Sequence, residues 1–370
     1  MRHIAKGELE VGDPLPWDVF GESGGLLARK GYVIANEGQI DNLVKRGKVA
    51  EEKPVKAAVT APSVLRMLNA ASRRLQALLP EVAKGMAPEV RPKLEEVARV
   101  IASAVDLNTE VALACILHNQ QSCPYPIRHS VDTAVVALLV ARAMKNNPLQ
   151  AQTVVLAALT MNVGMLQHQE RMQGTRDALS ADDVALIRAH PAAGVAMLRR
   201  AGVVDEAWLS AVLLHHENGN GGGYLYGYES DKIPEAAKII SMADRYCARV
   251  SARSYRKSML PNAALRDILL EEKSPTDAQL AAVFIRELGV YPIGTFVRLL
   301  NGEIGVVTRK GLSSTTPIVD ALVGPRGAPL DVVIRRDTKN ESHAIREVLN
   351  EDQAAIGFNL DQLWGPVAAP

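Results

Sequence analysis

No charge of one sign dominates this chain. Its 42 Lys and Arg stand against 41 Asp and Glu, for a formal net charge of +1 over 370 residues. That balance gives no electrostatic reason to expect a nucleic-acid polymer or an acidic membrane surface as a partner. Long apolar runs are missing too: no run of about 18 consecutive apolar residues occurs, so no membrane span is expected. The opening residues, MRHIAKGELEVGDPLPWD, hold no apolar signal-peptide core, and export by that route is not expected. Cysteine is scarce. Cys115, Cys123 and Cys247 show no CxxC spacing, which excludes a disulfide framework and a zinc knuckle. Internal repeats and low-complexity tracts are also absent. These absences point to a soluble, cytoplasmic protein in a reducing compartment. Its length suggests two or three domains, and 48% apolar residues suffice for a core.

The patterning divides the chain into four parts. Residues 1–52 read as a β-rich module, with short β-prone runs around a Gly-Gly turn in LPWDVFGESGGLLARKGYVI and a helix, EGQIDNLVKR, stopped by a glycine. Residues 53–61 are polar, proline-containing and without apolar period, and read as a linker. From 62 to 290 apolar residues recur at i, i+3, i+4 and i+7 in one segment after another, which predicts a helical bundle. In 291–370 the period drops to two, in TFVRLL, EIGVVTRK, PIVDALVG and PLDVVIRR, with NG and RG turns between, which predicts a small β-rich domain. The fold class is therefore mainly α, with small β-rich parts at both ends.

Eight histidines are present. His3 and His343 lie in terminal segments, and His118 and His168 suit a polar surface or a cap. The other four differ. His129 begins a helix after CPYPIR, His190 precedes a proline in RAHPAAG, and His215 and His216 end a helix just before a glycine-rich loop, HHENGNGGGYLYG. Asp244 follows in the last long helix. Histidines on successive helices can converge in a bundle core, as metal sites in bundles do; satisfied core or surface histidines are the alternative. The run SARSYRK brings Arg253, Arg256 and Lys257 together just past the helix of Asp244, and guanidinium groups suit bidentate phosphate contacts. An ordinary solvated turn is the alternative there.

At these residues the chain resembles a known family. HHENGNGGGYLYG is similar to the signature of HD-GYP domains, His-His-Glu-x-x-Asp-Gly-x-Gly-Tyr-Pro-x-Gly. HSVDTAVVA, AHPAAGVAML and ISMADRYCARVSARSYRK resemble further blocks of that family, in the same order. ELGVYPIGTFVRLLNGEIGVV resembles the segment that commonly follows such domains, and ELEVGDPLPWDVFGESGGLLARKGYVI the small module that often precedes them. The likeness spans residues 1–310 in outline. It implies an HD-type helical bundle and a bacterial cyclic di-GMP phosphodiesterase with two or three metal ions, often iron or manganese. Carried over by position, His129 and Asp244 would serve one metal, and His190, His215 and His216 the other. Gly223 and Tyr224 fall in the signature loop, which the family also uses toward diguanylate cyclase domains. Arg253, Tyr255 and Arg256 match the family's Asp-Arg-Pro-Tyr-Arg run, and Lys257 follows.

The chain departs from the family where the family is named. In AALTMNVGM the His-Asp pair is replaced by Met161-Asn162, the lysine that follows is Met165, and no His-Asp dipeptide occurs anywhere. Asparagine offers only a neutral carbonyl oxygen, and methionine a soft thioether matched to Cu(I) rather than to Mn or Fe(II). Two dications ~4 Å apart repel by ~17 kcal/mol at an effective dielectric of ~20, and the lost carboxylate normally offsets that. Asn220-Gly221 replaces Asp-Gly, and Leu225 replaces the loop proline, which predicts a less rigid loop. The expectation is a degenerate HD-GYP protein with little or no hydrolysis, acting as a cyclic di-GMP receptor, scaffold or interaction module. The alternatives are an active phosphodiesterase with an altered metal set and a single-metal phosphohydrolase. For the cofactor two readings stand: one Fe or Mn ion at His190, His215 and His216, or none.

Overall fold

The computed structural model describes the chain except for residues 1, 6, 12, 14, 16, 23–24, 50–60, 86–88, 120–121, 175–179, 252–257 and 272–274. It divides into two compact units, residues 1–60 and 61–370. In the first, strands β1 (Arg2–His3), β2 (Val19–Phe20), β3 (Leu26–Ala28) and β4 (Lys48–Val49) pair antiparallel in the order β1-β4-β2-β3. Helix α1 (Glu37–Arg46) starts where the Asn36 side chain accepts from the Gln39 N–H and stops at Gly47. Ile4, Leu15, Val19, Ile34 and Val49 form its core.

The second unit opens with α2 (Val64–Lys84) and α3 (Val90–Leu107). On α2 the buried positions Leu68, Ala71, Leu75, Leu79 and Val82 fall three or four apart, an amphipathic stripe facing the bundle. Then come α4 (Thr109–His118), α5 (Tyr125–Ala143), α6 (Pro148–Thr160), α7 (Leu166–Gly174), α8 (Ala181–Arg200), α9 (Glu206–Leu214), α10 (Glu235–Val250), α11 (Pro261–Glu271) and α12 (Pro275–Leu288). Helices α5 and α6 are buried on nearly every face and form the centre of the bundle. Pro148–Gln169, which includes α6, is apolar and long enough to cross a membrane by composition, but 67% of that window is buried inside the bundle. No other single helix among the described residues passes that test.

The C-terminal strands are β5 (Phe296–Leu299), β6 (Ile304–Arg309), β7 (Ile318–Val323), β8 (Pro329–Asp337) and β9 (Ile345–Leu349), antiparallel in the order β8-β7-β6-β5-β9. The NG and RG turns fall between β5 and β6 and between β7 and β8. Strand β9, IREVL, escaped the sequence reading because two charges break up its five residues. Val297, Leu299, Val307 and Val319 belong to the same apolar core as the helices.

Two placements correct the sequence reading. Helix α5 begins at Tyr125, with Pro124 as its cap and Pro126 in its first turn, so His129 lies inside the helix and not at its start. Pro191 lies within α8, in keeping with the unbroken apolar period there. His118 is half-buried rather than on the open surface. Its Nε2–H donates to Gly294 O at 2.7 Å, Phe296 and Phe358 meet it edge-on, and burial lowers its pKa. It joins α4 to the C-terminal sheet.

Candidate metal centre

Helix α8 supplies His190, the end of α9 supplies His215 and His216, α10 supplies Asp244, and α5 supplies His129. Two devices hold this end of the bundle together. The Trp208 indole N–H donates to Thr160 Oγ1 at 2.8 Å and ties α9 to α6. The turn Val163–Met165 presses against α8 so closely that a Cβ on Gly164 would stand 2.2 Å from His190 O. Only glycine permits that approach.

One ligating nitrogen from each of His190, His215 and His216 lies within 4.8 Å of the others. Their tautomers follow from the backbone. Pro191 has no N–H, so the carbonyl four residues earlier, Ile187 O, loses its helical donor. The His190 Nδ1–H donates to that carbonyl at 2.6 Å. At the open end of α9 the carbonyls are likewise unpaired. The His215 Nδ1–H donates to Val212 O at 2.7 Å. A carbonyl can only accept, so both Nδ1 atoms carry protons and both Nε2 atoms carry lone pairs when the rings are neutral. They are neutral: burial, and then the charge of His215, pulls the His190 pKa down to about 3. Burial lowers those of His215 and His216 too. Two lone pairs therefore face each other across 3.4 Å. That arrangement repels itself unless a cation accepts both. The three histidines fit a single metal ion by this criterion, and their backbone partners orient the ligands as second-shell contacts do in metal sites.

The other half of the site is built differently. His129 Nε2–H donates to Asp244 Oδ1 at 2.6 Å, and Tyr125 stacks on the His129 ring at 5.2 Å. Burial alone would raise the Asp244 carboxyl. The hydrogen bond and charge of His129, with the nearby His216 and His215, outweigh it and hold the group well below the usual carboxylate range. Met161 follows α6 directly. Its side chain is wholly buried in the apolar core, at 0% exposure. Asn162 is buried as well, and its Oδ1 has no hydrogen-bond partner among the described residues. The carboxylate of Asp244 is thus already engaged by His129.

The glycine-rich loop folds over the histidine doublet. Tyr224 stacks on His216 at 4.7 Å, and its N–H donates to His216 O at 3.2 Å. A Cβ on Gly223 would meet Asn218 N at 2.4 Å and His216 O at 2.6 Å, so the close backbone approach requires glycine there. Glu217 fastens the loop: its carboxylate, 4% exposed, accepts the Tyr226 N–H at 2.6 Å and the Tyr228 N–H at 2.9 Å. The sequence reading assigned Glu217 no role, although it is the third residue of the signature. Arg253, Tyr255, Arg256 and Lys257 lie outside the described residues.

The pattern of HD domains matches residues 67–280, more than half of the chain. The chain is 29% identical over 271 residues to a cyclic di-GMP phosphodiesterase of Pseudomonas aeruginosa, covering 72% of this chain and 64% of that protein. To a cyclic di-GMP phosphodiesterase of Borreliella burgdorferi it is 23% identical over 239 residues, covering 64% of this chain and 62% of the other. It thus spans less than two thirds of the length of both. Among solved structures, an HDG"Y"P protein from Bdellovibrio bacteriovorus superposes with a TM-score of 0.51 at 15% identity, covering 76% of this chain and 97% of that one, a likeness of fold. With the ordered histidine blocks and the signature loop in place, the chain belongs to the HD-domain family, in its HD-GYP group.

Proposed function

We propose that this protein serves cyclic di-GMP signalling as a degenerate HD-GYP domain with little or no hydrolytic activity, binding the nucleotide or a partner such as a diguanylate cyclase domain rather than consuming the nucleotide. One observation carries the reading: where the family has its His-Asp pair, Met161 is sealed in the apolar core beside an amide, Asn162. No anionic oxygen is left there to bridge two dications. His190, His215 and His216 would hold a single iron or manganese ion, which when bound supplies Lewis acidity toward a phosphodiester oxygen. His129 holds Asp244 by a hydrogen bond, and Tyr224 covers His216. The opposed lone pairs of His190 and His215 favour a second reading, a single-metal phosphohydrolase acting on another substrate.

Metal analysis and turnover separate these readings. Loaded anaerobically with iron, or with manganese, the wild-type chain should hold at most one ion and hydrolyse cyclic di-GMP no faster than a variant lacking His215 and His216. Calorimetry should show the nucleotide binding without turnover. Met161→His with Asn162→Asp should raise bound metal and restore part of an activity, held about 10–100-fold below a complete site because Met165 and Leu225 remain. Two tightly held ions in the wild type, with turnover that disappears on His215→Ala, would overturn the proposal.

A further inference from the structure

A cavity of about 370 Å³ opens between α3, α5 and the start of α6, and none of the residues lining it belongs to the histidine cluster or its loop. Its walls are small and apolar: Ala98 and Ala102 from α3, Leu138 from α5, Ala151 and Val155 from α6. Three alanines where helices of a packed bundle would ordinarily interdigitate larger side chains leave the space. At ~30 Å³ for each water-sized group, it has room for about a dozen non-hydrogen atoms.

The rim carries one uncommitted cation. Arg142 reaches it but is occupied, its guanidinium holding Asp106 at 2.7 and 3.3 Å. Asn146 is also engaged, donating to Glu235 at 2.7 Å. Arg99 is exposed and has no ion-pair or hydrogen-bond partner for its side chain among the described residues. The first turn of α6, through Pro148 and Ala151, completes the wall, and the positive end of that helix dipole adds to the field of Arg99. One uncommitted guanidinium over an apolar floor complements one negative charge on an apolar body. A dianionic phosphate would ask for a second free cation, which Arg142 is not.

We propose that this cavity is a ligand site for a small amphipathic monoanion, its carboxylate at Arg99 and its apolar body against Ala98, Ala102 and Leu138. The site is independent of the metal-centre reading, because no residue is shared. It is still connected to that centre through its walls. Leu138 stands nine residues from His129 on α5, ~14 Å along the axis, and α6 runs from Val155 straight to Met161. An occupant is placed to bias both helices without touching the histidines.

The test is calorimetric titration of the full chain with 2-naphthoate and with its neutral counterpart, 2-naphthamide. One naphthoate should bind per chain, and the amide about 10-fold more weakly, the factor that a charged hydrogen bond of ~1.4 kcal/mol supplies. Arg99→Gln, a surface change that leaves the core intact, should remove that difference. Ala102→Leu, which fills the cavity from its half-buried edge, should abolish binding of both while the chain still melts cooperatively. His215→Ala should leave naphthoate binding as it was. Absence of binding at millimolar naphthoate, equal binding of acid and amide, undiminished binding in Ala102→Leu, or loss of binding in His215→Ala would each overturn the proposal, and none of these bears on metal content or turnover.

Discussion

Glu217 shows how one buried carboxylate organises the loop beside the histidines. Both of its oxygens accept main-chain N–H groups from residues nine and eleven positions later, so one side chain closes the loop on itself. Hydrogen bonds to a charged acceptor contribute ~1.5–3 kcal/mol each. Glu217→Ala should therefore open the loop locally. Amide exchange at Tyr226 and Tyr228 should speed up while the helices keep their protection; unchanged exchange at those two amides would contradict the assignment. The sequence reading expected a less rigid loop from Leu225 alone, because it could not see a staple anchored outside the glycine run. Met161 and Asn162 were legible as departures. Their surroundings were not: that the thioether lies in dry core and the amide oxygen lacks a partner depends on neighbours distant in sequence.

At the scale of the element, Pro191 inside α8 links sequence to chemistry most directly. Proline in a helix interior costs ~3 kcal/mol, partly through its missing N–H. Here the orphaned carbonyl, Ile187 O, accepts a hydrogen bond from His190 Nδ1–H and turns the Nε2 lone pair toward His215. Pro191→Ala should thus move two properties in opposite directions. The returned N–H competes for Ile187 O, so affinity for a divalent cation should fall about 10-fold, the lower end of second-shell effects. Stability toward denaturant should stay or rise. Chemical denaturation paired with metal titration reads both, and a cation affinity equal to that of the wild type would remove the tautomer argument. The dipeptide His-Pro was visible in the sequence, but not that the carbonyl freed by the proline would aim the imidazole. Helical periods were otherwise well legible across 62–290, because amphipathic segments announce their own faces. The start of α5 was displaced by four residues because PYPIR carries two special backbone signals, a proline cap and a proline in the first turn, that mimic a loop.

For the whole molecule the informative group is Asp132, deep in α5. Burial pushes its carboxyl up to about 8, against a smaller opposing pull from Arg128, whose Nε lies 3.8 Å away. The unfolded chain titrates near 4. Between those values the folded protein binds a proton that the unfolded chain has released. Stability is therefore fully present below about pH 4 and is lost progressively as pH rises toward 8, at no more than ~1.4 kcal/mol per pH unit. Asp132→Asn, which cannot ionise, should flatten this fall. Thermal unfolding from pH 5 to 8 should show the variant gaining on the wild type with each step upward and the gain levelling off above pH 8, and parallel curves from 5 to 8 would show that Asp132 is ionised in the fold. The same burial raises the thiols of Cys115 and Cys247, in keeping with cysteines that pack rather than react.

The helical centre with β-rich ends, the histidine blocks and the loss of the His-Asp pair were determined by the sequence alone, because period, turn chemistry and residue identity are local. Tertiary structure decided which lone pairs converge. His190 and His215 stand 25 positions apart, and what aims their nitrogens is a carbonyl freed by a proline and another freed by a helix end. It also decided that Asp244 is tied to His129, that Met161 is core, and that three alanines on two helices enclose a cavity under an uncommitted arginine. Each of these depends on distances between residues far apart in the chain, which periodicity and composition do not encode.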